Sequence, residues 1–130
     1  MRLLLDTHIA IWSLTDPDML SSRVRALLSD PDNDVYISAA SIWEIAIKHA
    51  LGKRAGAPPF GAQEAIGVFS EVGYDFLAVS PDHAAAVETL PMHHADPFDR
   101  LLVAQALIEP MRLVTADPMV ARYSDTTIRA

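Results

Sequence analysis

Asp6, Glu44 and Asp117 stand at or just beyond the ends of apolar, strand-like runs, and Asp99 stands at the start of a helix. The runs are Leu3-Leu4-Leu5, Val35-Tyr36-Ile37-Ser38 and Leu113-Val114-Thr115, while Asp99 closes the segment Asp96-Pro97-Phe98-Asp99. In an open parallel α/β sheet the carboxyl ends of the strands share one edge, and ligands bind there. Carboxylates gathered on that edge repel one another unless a cation lies among them. The cation suited to several hard oxygen donors is Mg²⁺ or Mn²⁺. Such an ion lowers the pKa of a bound water and stabilises charge on a phosphoryl group during in-line attack, which is phosphodiester hydrolysis without a side-chain nucleophile.

Each of the four acids also has a plainer reading as a helix cap, because free N–H groups and the helix dipole favour anions at helix starts. Ser41-Ile42-Trp43-Glu44 matches a capping box, and Asp96-Pro97 and Asp117-Pro118 match a cap followed by proline. Capping alone does not require acids at all of these places, since Ser80 and Ser21 serve as caps elsewhere. The two roles are compatible, because a capping carboxylate keeps a second oxygen free. Asp99 is therefore read as the ligand and Asp96 as the cap. Thr115 is a candidate to orient water or to support the site. Lys48 lies four residues after Glu44, so it is either a helix salt bridge or a phosphate contact. Arg100 divides the same way, while Lys53 and Arg54, in a glycine-containing loop, are candidate contacts to a polyanion. His93 and His94, beside Asp96, read either as exposed loop residues or as contacts to substrate, and no histidine shows ligand spacing. Trp12 and Trp43 read as core or interface packing.

The elements that must position these groups alternate between strand and helix. Strands are expected at Arg2 to Leu5, Val35 to Ser38, Asp75 to Val79 and Arg112 to Thr115, with a short last one at Thr126 to Arg129. Helices are expected from Thr7 to the break at Asp16-Pro17-Asp18, from Ser21 or Ser22 through Leu28, and from Ile42, capped by Ser41, to about Leu51. Others run from Ala62 to Val72, from Pro81 to Leu90, from Asp96-Pro97 through Leu107, and briefly after Pro118. Gly52 and Gly73 act as stops. This order predicts a mostly parallel sheet covered on both faces, a three-layer α/β/α sandwich spanning 1–130 as one domain.

The 130 residues are 51% hydrophobic and 21% charged, enough apolar material for a core and too little charge for disorder. The absence of cysteine excludes disulfides and thiolate metal sites, and suits a reducing compartment. The run at Leu3 to Leu5 is far too short for a membrane span or a signal-peptide core, so no membrane association and a cytoplasmic location are expected. A net charge of -7 with only two lysines, Lys48 and Lys53, excludes broad non-specific binding to nucleic acid. Any nucleic-acid contact must be local, with a metal supplying positive charge. The same acidity suits a basic protein partner.

Four segments, taken in order, resemble the PIN-domain ribonucleases and, within them, the VapC-like toxins of toxin–antitoxin pairs. They are Leu3 to His8, Ser38 to Ile45, His94 to Ala106 (His-Ala-Asp-Pro-Phe-Asp-Arg-Leu-Leu-Val-Ala-Gln-Ala) and Leu113 to Asp117. The resemblance covers nearly the whole chain, and its third segment is the most specific. It implies the α/β/α sandwich, Mg²⁺- or Mn²⁺-dependent endoribonuclease activity on an RNA substrate, and metal-site roles for Asp6, Glu44, Asp99 and Asp117 with Asp96 adjacent. It further implies a homodimer, and a cognate antitoxin whose C-terminal segment lies over the active site. Rival readings are a catalytically silent PIN-like binding module and a receiver-like signalling domain. The latter needs an acid after the third strand, where Val79-Ser80-Pro81 stands, and a late lysine, whereas none follows Lys53. A phosphatase of the Asp-x-Asp type needs an acid where His8 stands.

Overall fold

The computed structural model describes residues 1–52 and 56–130. Five strands, β1 (Arg2–Leu5), β2 (Asp34–Ser38), β3 (Asp75–Leu77), β4 (Arg112–Thr115) and β5 (Ile128–Arg129), form one sheet in the order β3-β2-β1-β4-β5. Every pairing is parallel, with Leu4 of the central strand opposite Tyr36 on one side and Leu113 on the other. The helices among the described residues are α1 (Thr7–Thr15), α2 (Ser22–Ser29), α3 (Ala39–Ala50), α4 (Ala62–Glu71), α5 (Pro81–Ala86), α6 (Pro97–Ile108) and α7 (Pro118–Ala121).

β1 is apolar at successive positions because both of its faces are covered. Leu3 and Leu5 pack with Ile9 and Ala10 of α1, Val24 of α2, Ile45 of α3 and Phe69 of α4. Leu4 points the other way, into a second core with Leu102, Val103 and Ala106 of α6 and Val120 of α7. This alternation is the period of two expected of a strand, and it defines three layers. Truncating Leu4, which is fully buried, should cost about 2–5 kcal/mol.

The connections decide where a site can form. From β1 the chain steps outward to β2 and then β3, and it returns through α5 and α6 on the opposite face to reach β4 beside β1. The direction of travel thus reverses between β1 and β4. A crevice opens beyond the carboxyl ends of such a pair. Asp6 leaves β1 there and Asp117 follows β4.

Three expectations about the elements are corrected. Helix α3 begins at Ala39 rather than Ile42, and Ser38 caps it by accepting the Ala40 N–H. Ser41 is instead buried inside the first turn, so the Ser41–Glu44 capping box does not form. β3 ends at Leu77, and the helix from Pro81 ends at Ala86 and passes into a 3-10 turn, Val87–Thr89. The stops fall where expected: Gly52 has φ +91° and Gly73 φ +90°, a region that side chains with a Cβ avoid. No helix among the described residues is long and apolar enough to cross a membrane.

Candidate active site

Each of the four acids is delivered by a different element. Asp6 is the residue between β1 and α1, and it is 6% exposed. It makes no cap with its side chain. Its Oδ2 instead accepts the Thr115 hydroxyl at 2.7 Å, across the crevice from the end of β4. Burial pushes the Asp6 carboxyl above its ordinary range, and the nearby charge of Glu44 adds to this, against the Thr115 hydrogen bond.

Glu44 lies in the second turn of α3 and is 4% exposed. The Thr7 hydroxyl donates to its Oε1 at 2.7 Å and lies 2.8 Å from the Ser41 hydroxyl. Lys48 closes an i,i+4 ion pair on Oε2 at 2.5 Å, which is the plainer of its two expected roles. Burial lowers the Lys48 pKa, but the hydrogen bond and charge of Glu44, with Asp96 and Asp99 behind it, outweigh that and raise it.

Asp99 stands in the first turn of α6. Its carboxyl is pushed up to about 7, first by burial and then by the charges of Asp6, Asp96 and Glu44, with His94 opposing. Two of those three carboxylates, Asp6 and Glu44, come from distant parts of the chain, so the acids of separate elements face one crevice. Asp96 is the cap of α6, as expected, with Oδ1 accepting the N–H groups of Phe98 and Asp99. Asp117 caps α7 through the Met119 N–H and is the most open of the set, with its side chain 35% exposed. Burial is the largest single influence and raises its pKa, but the hydrogen bonds from the Met119 N–H and His94 and the charge of His94 together outweigh it and lower it.

His94 is the residue that sequence reasoning passed over. Its Nε2 lies 2.9 Å from Asp117 Oδ2 and 3.2 Å from Asp99 Oδ2, so it joins two of the acids. One donor atom each from His94, Asp99 and Asp117 fits within 4.8 Å. The Asp96 N–H donates to His94 Nδ1 at 3.1 Å. That leaves the proton on Nε2, so the ring faces the acids as a donor. Thr115 takes the supporting place expected of it. It is wholly buried, donates to Asp6, and accepts the Asp117 N–H at 3.1 Å, so one hydroxyl ties the two acids of the crevice together.

Arg100 is a correction. It is 8% exposed, and its guanidinium donates to the carbonyls of Pro91 and Val87 at 3.0 Å each and to the Tyr123 hydroxyl at 3.1 Å. One helical step beyond Asp99, it points into the molecule and holds the loop that carries His94 rather than facing a polyanion. Of the two readings of Trp43, core packing does not hold, since it is 59% exposed and stands edge-on to Phe98 at 5.0 Å, which leaves the interface reading open. Lys53 and Arg54 lie outside the described residues. Beside Glu44 a cleft of about 470 Å³ opens, lined by Thr7, Ile11, Trp12, Glu44, Lys48 and Pro58 among others.

The donor set fits a divalent ion. It is rich in carboxylate oxygens, sits at the reversal point of the sheet, and holds one carboxyl near 7, first through burial and then through the charges of its acidic neighbours. Fold and site together define an α/β sandwich with an acidic, metal-type crevice at its strand ends. The family profile described as PIN domain matches residues 3–125, and the chain belongs to the PIN domain family. Among solved structures it is similar to VapBC2 from Rickettsia felis bound to a DNA fragment from its promoter. That match has TM-score 0.70 and 18% identity, covering 100% of this chain and 98% of the other. It is also similar to DNA-bound VapBC from Salmonella typhimurium, with TM-score 0.67, 14% identity and coverage of 100% and 97%. A third match is VapBC-5 from Mycobacterium tuberculosis, a member of the VapBC family of toxin-antitoxin systems, with TM-score 0.63, 17% identity and coverage of 99% and 98%. At these identities the likeness is one of fold. A search of curated proteins finds no match.

Proposed function

We propose that this chain is a Mg²⁺- or Mn²⁺-dependent endoribonuclease and the toxin of a toxin–antitoxin pair. The observation that carries the reading is the Asp99 carboxyl, raised to about 7 by burial and by Asp6, Asp96 and Glu44 at the point where the sheet reverses. Asp6, Glu44, Asp99 and Asp117 would hold the ion, with Asp96 beside them. When bound, the ion supplies an acidified water and charge stabilisation at the scissile phosphate. The protein's own part is positioning. Thr115 fixes Asp6 relative to Asp117, Thr7 and Lys48 orient the two oxygens of Glu44, and His94 holds Asp99 near Asp117. No side chain in the crevice is a serine or cysteine nucleophile paired with a base, which is consistent with water as the attacking group. Lys48, still 41% exposed on its side chain, and Lys53 and Arg54 are the proposed contacts to RNA.

The apolar cleft beside Glu44 and Lys48 suits a segment of the antitoxin lying over the site. The exposed stripe Trp43, Ile47 and Leu51, at i, i+4 and i+8 on and just past α3, suits a homodimer. The test of the activity is cleavage of single-stranded and structured RNA with Mg²⁺ or Mn²⁺ added, against EDTA and an Asp6→Asn control. Metal-dependent cleavage lost in the variant supports the reading. Equal cleavage by both proteins overturns it in favour of a silent binding module.

A further inference from the structure

Helices α3 and α6 lie on opposite faces of the sheet, yet each supplies an acid to the same crevice. Where they meet, the contacts run in antiparallel order. Ser38, the cap of α3, donates its hydroxyl to Gln105 Oε1 at 2.5 Å. Further up α3, Trp43 meets Phe98, further back along α6. Glu44 is six residues beyond Ser38, and Asp99 is six residues before Gln105. Six residues are about 9 Å of helix, so a contact at Ser38 and Gln105 brings Glu44 and Asp99 to the same level. The two acids sense each other's charge, as the position of Asp99 requires.

The lower rung is built to hold. Ser38 and Gln105 are both fully buried, and each makes a second hydrogen bond. Ser38 Oγ accepts the Ala40 N–H at 3.0 Å, and Gln105 Nε2 donates to the Ala78 carbonyl at 3.2 Å, just past β3. Gln105 thus ties α6 to the ends of two strands on the edge that carries the site. Gln105 Nε2 also lies 3.4 Å from His83 Nδ1, and among the described residues no buried side-chain polar atom is left without a partner. Above it, the carboxylates push apart, and this bond and the Trp43–Phe98 contact tie the two helices together on either side of that gap.

We infer that Ser38 and Gln105 are positioning residues that set the gap between Glu44 and Asp99, and thereby the affinity of the crevice for a divalent cation. The inference rests on the metal reading of the site given above. A purely structural bond would affect melting and leave ion affinity alone. A positioning bond must affect ion affinity in protein that is fully folded.

The experiment is titration of the full chain with Mn²⁺ by calorimetry, well below the melting temperature, with far-UV circular dichroism verifying the fold. The variants are Gln105→Met, Ser38→Ala, the double variant and Ser38→Thr. Each single variant should bind Mn²⁺ about tenfold more weakly, in the range seen when a partner of a metal ligand is removed. The two losses should not add in the double variant, because the bond between Ser38 and Gln105 is already gone in either single. Ser38→Thr, which keeps the hydroxyl, should restore affinity to within about twofold. Ser38→Ala leaves the Gln105 oxygen and the Ala40 N–H unmet but changes little volume, so it carries the test if Gln105→Met does not fold. Wild-type Mn²⁺ affinity in either folded single variant overturns the inference while leaving the metal reading intact. No Mn²⁺ uptake by the wild type overturns the metal reading and the inference with it.

Discussion

The acids of the crevice fall into an inner and an outer pair, and the protein treats them differently. Asp6 and Glu44 are nearly sealed and receive side-chain hydroxyls from Thr115 and Thr7, with Lys48 completing Glu44. Asp99 and Asp117 are more open and share one imidazole N–H, from His94. Fixed hydroxyls on buried oxygens hold the inner pair in one geometry in any ionic condition. The outer pair depends on one shared ring, and the Asp99 carboxyl is raised by burial and by its acidic neighbours. The inner pair reads as a frame held by hydroxyls and the outer pair as one held by a shared ring, while pH reaches both, since burial raises Asp6 as well as Asp99.

The largest effect expected is on turnover, and it should not distinguish the pairs. Asp6→Asn and Asp99→Asn each remove an oxygen ligand, and RNA cleavage should fall at least about a hundredfold in both, measured at saturating Mg²⁺. A large loss from Asp6→Asn with little from Asp99→Asn would dissolve the outer pair as a metal site.

In the metal-free protein Asp99 should be visible in the pH dependence of stability, on top of a contribution of the same sign from buried Asp6. Asp99 in the folded chain titrates near 7 and in the unfolded chain near its ordinary 3.8, so between those values the folded state binds more protons. Stability from this group is therefore lost as pH rises from about 4 to about 7, by an amount on the order of a few kcal/mol. Calorimetric melting in EDTA should give a lower Tm for wild type at pH 8 than at pH 5. Asp99→Asn should flatten that slope and raise the pH 8 value by several degrees. Saturating Mg²⁺ should raise Tm more at pH 8 than at pH 5 through mass action on the folded state. A wild-type slope no steeper than that of Asp99→Asn would sink the raised position of Asp99.

Smaller effects concern the donors. Thr115→Val strips Asp6 of its hydroxyl and the Asp117 N–H of its acceptor. It should cost about 1–3 kcal/mol in urea unfolding and lower turnover roughly tenfold. His94→Ala removes only the shared outer donor, from a side chain already 21% exposed. It should change stability by under about 1 kcal/mol and turnover a few-fold. The reverse ranking would make the outer pair the frame.

Much of this was legible in the sequence because the signals are local. β1 and β4 could be placed to the residue, since three-leucine and Leu-Val-Thr runs end abruptly in polar residues, and Asp96-Pro97 marks the start of α6. The start of α3 was not, because Ser38 and Ser41 are both good caps. The choice is made by tertiary partners: Ser38 meets Gln105, and Ser41 lies against Thr7. His94 was missed for a similar reason. Its partners are five and 23 residues away with a loop between, so no periodicity brings them together. Arg100 was misread because adjacency to Asp99 in sequence says nothing of direction, and one helical step turns a side chain by about 100°.

The inward arginine has a kinetic meaning. Because Arg100 and Tyr123 hold the backbone from Val87 to His94 through several hydrogen bonds, that connection cannot open on its own. Its amides at His93 and His94 should exchange with deuterium in step with those of α6, as one cooperative unit. A catalytic loop of that kind is already ordered before substrate arrives, so encounter with RNA carries little entropy cost for folding the loop, and Arg100→Lys, with one ammonium in place of a fork, would reintroduce it.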